Sequence, residues 1–529
     1  MSGILTRMRR KFAKPKQKAN VNLDNIAKSL SLRKAVGHVY DPTFVDQHAH
    51  LVQYFFILGP REPESEESSL LFAYPSHKFS YTPSDFSGIS HLCFPTGIPK
   101  VPSKGNIVHQ FVFGLNDGGT LVFGICSHVK LPPDVAKHLN GVEETAVFCF
   151  CSVTTMPMLA THFNFHEFFI GLFLGTLTEN CKSSILIPEN VLIDEFRQCE
   201  ELTRSRYSQF DPQLKLNDEN PLFASVMPVD LHSDFSKALS FYFRIHVDAK
   251  NPGLYTIYGD HQLYVSKQNE TIIEIARHCF DVLFSCLSEE NVIRFYRAIL
   301  LEQKILIISE DLNKLTFCAL AALPLILPMT YKCPFQPLMP DDDSFLDYLD
   351  SPVPFIFGAL RTKKLINAFK QLSADITVVK LDENKIEYPL DIPRLPNPRE
   401  LKEGLKNKIH DMKATPPKES DPKANEFWQE RINNLMAVEL KRQIKLKYSF
   451  TPMDCECILE KFQDYTSQFV NKRRLEKCRV RDTTNEDSPV IGFFKELYMI
   501  DVDESDEEFY STLADTQTFS YYCQELFKT

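Results

Sequence analysis

The stretch from Ser288 to Leu360 constrains the fold more than any other, because buried-strand and buried-helix patterns alternate in it before a dense proline cluster. Ser288-Glu289-Glu290 sets a capping oxygen and two carboxylates ahead of the apolar run Val292 to Leu301, where they complement a helix N-terminus. A helix is predicted there. Glu302-Gln303-Lys304 interrupts it, and Ile305-Leu306-Ile307-Ile308 follows as a short, wholly apolar run. That is the pattern of a strand covered on both faces in a parallel sheet. Leu312 to Leu323 reads as helix again. Pro324, Pro328, Pro334, Pro337 and Pro340 then forbid a long regular element, and Pro352-Val353-Pro354 leads into a brief strand, Phe355-Ile356-Phe357, closed by Gly358.

Upstream, Leu51 to Leu58 and Ala146 to Thr154 read as strands, and Arg61 to Ser69 as an exposed acidic loop. Two β-rich runs, Gln110 to Gly114 and Thr120 to Cys126, flank Asn116-Asp117-Gly118-Gly119, whose residues tolerate the positive φ of a hairpin turn. Phe163 to Leu174 has helical periodicity. Residues 200–230 are polar and proline-broken, the composition of a linker. Ser240 to His246 and Leu254 to Val265 read as two strands around Asn251-Pro252-Gly253, and Thr271 to Leu287 as an amphipathic helix. Beyond Gly358 a helix over 360–372 is predicted, then strands Ile376 to Leu381 and Lys385 to Tyr388 about the turn Asp382-Glu383-Asn384. Pro393 to Lys423, rich in proline and lysine, reads as a loosely packed connection. Helices are predicted over 425–447, 454–471 and 508–527. The fold class expected is mixed α/β, with an antiparallel sheet lobe, then a lobe with a largely parallel central sheet, then a helical C-terminal part.

With 529 residues, 43% apolar and 12% aromatic, the chain can fill two or three cores. No apolar run of about 18 residues is free of charge and proline, and the first residues lack a secretory h-region, so the compartment expected is the cytosol. Net charge is −10, yet residues 1–20 hold seven Lys/Arg and no acid, leaving −17 on the remainder. Such an acidic body argues against nucleic acid as a partner. In the tail, Ile4, Leu5, Met8 and Phe12 share a helical face beside Arg7, Arg9, Arg10 and Lys11, a pattern suited to anionic membrane. An unstructured basic tail and an organelle presequence are the alternatives.

Motifs for covalent or acid–base chemistry are missing: no nucleophile elbow, zincin order, dinucleotide fingerprint, kinase set or P-loop occurs. No catalytic residue, metal or cofactor is expected. The fourteen cysteines include the close pairs Cys149/Cys151 and Cys455/Cys457, neither with a second pair at zinc spacing, so buried reduced thiols are the reading. His162 and His166, four apart on a helix, lack a third ligand, and the acids Asp341, Asp342, Asp343, Asp347 and Asp350 lack the EF-hand order.

In order and spacing, Leu300 to Ser309, Pro328-Met329-Thr330-Tyr331, Gln336 to Pro340 and Phe345 to Gly358 resemble the central segment of the DENN-domain family. Cys93-Phe94-Pro95-Thr96-Gly97 and the hairpin resemble its upstream, longin-like segment. Leu513, Thr516 to Phe519 and Tyr521-Tyr522 resemble its downstream segment. Tyr331-Lys332-Cys333 departs from the family's usual aromatic-polar-histidine run. After a basic tail over 1–40, the resemblance implies an upstream lobe over 45–200, a central core over 230–395 and a downstream segment over 425–529. It also implies a guanine-nucleotide exchange factor for a Rab-type small GTPase in membrane trafficking and endocytosis, cytoplasmic and peripheral to endomembranes. An interaction scaffold, or a GTPase-activating protein using an arginine such as Arg361, are the alternatives. The GTPase would dock between the lobes, against Asp347, Tyr348, Phe357 and Gly358 on one side and Phe94 and Pro95 on the other.

Overall fold

A computed structural model describes, with short gaps, residues 50–173, 238–414 and 448–528. The basic tail with Arg7, Arg9, Arg10 and Lys11, the 200–230 linker and the 425–447 helix lie outside the described residues, as do Asp342, Asp343 and Asp347.

The first lobe holds strands β1 (Tyr54–Pro60) and β2 (Ser68–Tyr74), helix α1 (Ser87–Cys93), strands β3 (Ile107–Asp117), β4 (Thr120–Leu131) and β5 (Ala146–Thr154), and helix α2 (Leu159–Phe173). Its sheet runs β2-β1-β5-β4-β3, with every pairing antiparallel. Asp117 pairs with Thr120, the register of the predicted two-residue hairpin. Register lays residues in rows across four strands. Phe56, Cys151, Cys126 and Phe111 form one row, and Leu58, Cys149, His128 and His109 the next on the same face. The opposite face carries Phe55, Ile57, Phe150 and Ser152, covered by Phe165 and Phe169 of α2.

The second lobe opens with a small hairpin, β6 (Gly253–Tyr258) and β7 (His261–Val265), then α3 (Thr271–Cys286) and α4 (Glu289–Leu300). Strand β8 (Lys304–Ser309), helices α5 (Leu312–Leu320) and α6 (Ala322–Leu325), and strands β9 (Phe335–Gln336), β10 (Phe355–Leu360), β11 (Ile376–Lys380) and β12 (Lys385–Glu387) complete it. The order is β12-β11-β8-β10-β9, with β8 central and its neighbours parallel; only β12 runs antiparallel. Ile305, Leu306 and Ile307 are fully buried, as a strand covered on both faces requires. The Ser288 hydroxyl caps α4 by accepting from Asn291 N–H. The C-terminal part contains α7 (Pro398–Ala414), α8 (Pro452–Phe469), α9 (Lys472–Lys477), the hairpin β13 (Arg479–Asp482) and β14 (Val490–Phe493), α10 (Lys495–Met499), α11 (Glu507–Ala514) and α12 (Gln517–Lys528).

Several local expectations need correction. Residues 241–243 are helical, so Ser240 to His246 is no strand, and Leu254 to Val265 folds back on itself around 259–260 as β6 and β7. Pro393 to Lys423 is not simply a connection, because Pro398–Ala414 is a 17-residue helix packed against α4 and α8. Strand β10 does not end at Gly358 but pairs with β8 as far as Leu360. The C-terminal part also includes the β13-β14 hairpin, and 508–527 is two helices. No helix among the described residues is long and apolar enough to cross a membrane.

The lobes are not separate bodies. One core cluster contains Phe56, Phe113 and Cys126 from the first sheet together with Phe280, Leu315, Phe317 and Ile356 from the second lobe. An edge strand leaves alternate backbone N–H groups unpaired. On β3, Gln110 N–H donates to Asn313 Oδ1 (2.8 Å) and Val112 N–H to Thr316 Oγ1 (3.4 Å). Asn313 and Thr316 are three apart on α5 and so share a face.

Candidate functional site

The seam between the two sheets is organised by Pro337. A Cβ on Gly114 of β3 would lie 2.9 Å from Pro337 Cδ, and one on Gly358 of β10 only 2.1 Å from the Pro337 carbonyl oxygen. Neither position has room for a side chain. Two glycines, one from each lobe, therefore bracket one proline, and Met339 N–H donates to Gly358 C=O (2.7 Å) to hold the 337–339 segment on β10. The expected cleft is thus closed along this line.

The residues singled out in the sequence fall in different environments. Phe94 is buried, its ring stacked on His128 (4.7 Å), in the turn where Gly97 N–H donates to Phe94 C=O (3.1 Å). Pro95 beside it is half-buried. Phe357 is buried and stacks on Phe355 (4.2 Å) in a separate core with Leu306, Leu349 and Val378. Tyr348 is half-buried against that core. Phe94 and Phe357 thus belong to different clusters, and Tyr348 and Pro95 are the members with surface. Val353, between Tyr348 and Phe357 in sequence, stands 46% exposed on the loop entering β10. Arg361 is exposed and ion-paired, its Nη1 2.9 Å from Glu383 Oε1.

A second junction joins the central and C-terminal parts. Helix α4 ends in a Schellman arrangement, with Gln303 N–H donating to Ala298 C=O (3.0 Å) and Glu302 N–H to Ile299 C=O (3.1 Å). This ending places Glu302 at φ 45, a position that usually favours glycine. Its side chain explains the exception. Glu302 Oε2 accepts from Gln517 N–H (2.8 Å) and Oε1 from Thr518 N–H (2.7 Å), while Thr516 Oγ1 accepts from Phe519 N–H (3.2 Å). The free N–H groups that open α12 are thereby satisfied, two of them by a carboxylate some two hundred residues upstream. Around it, Lys332 N–H donates to Thr518 Oγ1 (3.3 Å), Lys332 Nζ lies 3.6 Å from the Tyr521 ring centroid, and Cys333 Sγ approaches Gln517 Oε1 (3.8 Å). The run that departs from the family pattern, Tyr331 to Cys333, therefore faces the downstream residues Gln517, Thr518 and Tyr521.

His162 and His166 are buried in a polar chain. His166 bonds through Nδ1 to Ser127 Oγ and through Nε2 to Ser152 Oγ (2.8 Å each), Tyr242 O–H donates to Ser152 Oγ (2.9 Å), and His162 Nδ1 bonds to the Tyr242 hydroxyl. Burial lowers His162 to about 4 and His166 well below its ordinary value, so both are neutral at pH 7. The chain ties α2 and residue 242 to the sheet.

Sequence reasoning missed the Pro337 bracket and the Glu302 cap. Gly114 and Gly358 are visible in the sequence, but their shared partner is not. A glutamate at the end of an apolar helix, just before a buried strand, was the available signal for the cap.

Residues 250–384 match the family model described as "DENN (AEX-3) domain". Over 385 residues, 65% of this chain, it is 24% identical to the MAP kinase-activating death domain protein of Caenorhabditis elegans, covering 25% of that protein. It is 31% identical over 134 residues to DENN domain-containing protein 1A of Xenopus laevis and 32% over 128 residues to DENN domain-containing protein 1B of Mus musculus. Those matches cover 25% and 24% of this chain, and 13% and 16% of the relatives. The chain thus spans about a quarter or less of the length of these curated relatives. The β8-centred sheet, the Pro337 seam and the α4 ending all lie inside or beside residues 250–384, the segment of this chain that matches the DENN domain.

Proposed function

We propose that this chain is a guanine-nucleotide exchange factor that promotes GDP release from a Rab-type small GTPase in membrane trafficking. The observation that carries the reading is the match of residues 250–384 to the DENN domain. Exchange calls for no titratable catalyst. A GTPase that holds nucleotide near the picomolar range binds it with about 16 kcal/mol, and the exchange factor opposes this by binding the nucleotide-free form in preference. Differential affinity then drives release.

The surface assigned to the GTPase is built on Tyr348 and Asp347, with Pro95 on the first lobe. Phe94, Phe357 and Gly358, named with them for the same contact, are buried, which suits them to fixing backbone position on their own elements. The basic residues Arg7, Arg9, Arg10 and Lys11 are assigned to peripheral contact with anionic membrane, each adding about 1 kcal/mol near such a surface.

The test is a panel of Rab-type GTPases loaded with fluorescent GDP. Accelerated release for at least one member, reduced by Tyr348→Ala, is expected. Unchanged release for every member at micromolar protein refutes exchange. Stable binding without release would identify a scaffold instead, and stimulated GTP hydrolysis an activating protein.

A further inference from the structure

Four cysteines that are scattered in sequence converge on one face of the first sheet. Cys93 ends α1, Cys126 lies on β4, and Cys149 and Cys151 lie on β5. The sulfurs of Cys93, Cys126 and Cys149 all lie within 4.8 Å of one another, and Cys93 Sγ and Cys126 Sγ are 3.9 Å apart. Cys151 pairs with Cys126 in the ladder and sits two residues from Cys149 on the same face. All four are fully buried free thiols.

A tetrahedral zinc ion with bonds of about 2.3 Å needs ligand sulfurs about 3.8 Å apart. The Cys93–Cys126 spacing of 3.9 Å already meets this, and the Cys149 sulfur lies within 4.8 Å of both. The surroundings also favour a fixed donor. His128 Nε2–H donates to the Cys93 carbonyl (2.6 Å), and the His128 ring is sandwiched against Phe94 (4.7 Å) and Phe111 (4.9 Å). The end of α1, and with it the Cys93 sulfur, is thereby held over the Cys126–Cys151 pair. A single buried cysteine is accounted for as a small hydrophobe. That account does not explain why three sulfurs from three elements lie within 4.8 Å of one another, with a fourth cysteine on the same sheet face beside them.

We propose that the first lobe holds a structural zinc ion on the thiolates of Cys93, Cys126, Cys149 and Cys151. On binding, each thiol loses its proton to solvent and the sulfur donates a pair to the metal, with no change in oxidation state. The site is closed, with no open coordination position for substrate, so its role is to lock α1 and the Phe94–Gly97 turn to the sheet. Because no donor is exposed, loading accompanies folding and the ion exchanges slowly afterwards.

The full chain, produced in zinc-supplemented medium and dialysed against EDTA, is expected to retain about one zinc per chain by plasma mass spectrometry. Refolding from urea with Co²⁺ in place of zinc is expected to give thiolate-to-cobalt charge-transfer absorption in the near ultraviolet, with tetrahedral bands in the visible. The pair Cys126→Ala/Cys149→Ala should lose both signals, whereas Cys286→Ala/Cys457→Ala, outside the cluster, should keep them. If the cluster variant does not fold, the wild-type cobalt spectrum decides. Folded wild-type protein with far less than stoichiometric zinc and no charge-transfer band overturns the proposal and leaves the cysteines as core filling.

Discussion

Replacing Glu302 should loosen the C-terminal helix from the rest of the molecule. The residue is 9% exposed, and its carboxylate takes both the Gln517 and Thr518 N–H groups at 2.8 and 2.7 Å. Hydrogen bonds to a charged group contribute roughly 1.5–3 kcal/mol each. Glu302→Ala removes both and leaves two shielded N–H groups without an acceptor, so a loss of about 3–5 kcal/mol is expected. Glu302→Gly forfeits the same bonds but relieves a non-glycine residue at φ 45, and should recover about 1 kcal/mol of that loss. Two readouts test this: the urea midpoint of each variant, and amide hydrogen exchange across α12. Exchange at 517–519 should accelerate while that of β8 stays slow. Were Glu302→Ala to fall within about 0.5 kcal/mol of the parent with α12 protection unchanged, the long-range cap would be refuted.

Two further outcomes follow from the packing. Gly358→Ala places a methyl group 2.1 Å from the Pro337 carbonyl oxygen and should cost roughly 2–3 kcal/mol, whereas Gly404→Ala, in helix α7 with its nearest neighbour 3.6 Å away, should stabilise by about 0.5–1 kcal/mol; calorimetric melting of both gives opposite signs or the argument fails. His162 and His166 are held below the ordinary histidine value of about 6.5, so the unfolded chain takes up protons first as pH drops; the stability they confer is complete above pH 6.5 and is lost toward pH 4, by up to about 1.4 kcal/mol per histidine per pH unit. Urea midpoints between pH 7.5 and 4.5 should show this slope, and an unaltered slope in His162→Gln/His166→Gln would count against it.

Local chemistry made much of the second lobe readable. Ser288 with two following glutamates announced α4, and an isolated run of four aliphatic residues announced β8. The α7 helix was hidden by its lysines and its opening proline. Yet Leu401, Leu405 and Ile409 recur every four residues and are all buried, while Pro398 occupies the first turn, where a missing N–H does no harm. Weighing period above composition would have found it. The seam was out of reach for a different reason. Asn313 and Gln110 are some two hundred residues apart, and nothing in either neighbourhood says that an asparagine on a helix will satisfy a strand edge. The same holds for the four cysteines, whose convergence depends on the β4–β5 register. For the residues named for partner contact, the sequence could not tell ring-in from ring-out, and Phe94 and Phe357 both turned inward.

The side-chain cover on β3 also bears on how this protein avoids sticking to itself. A β-sheet recruits foreign strands through bare amides at its margin, and here Asn313 and Thr316 already occupy two of them on one side. Accretion of a second chain along β3 is thereby hindered, and removing both acceptors would reopen that margin.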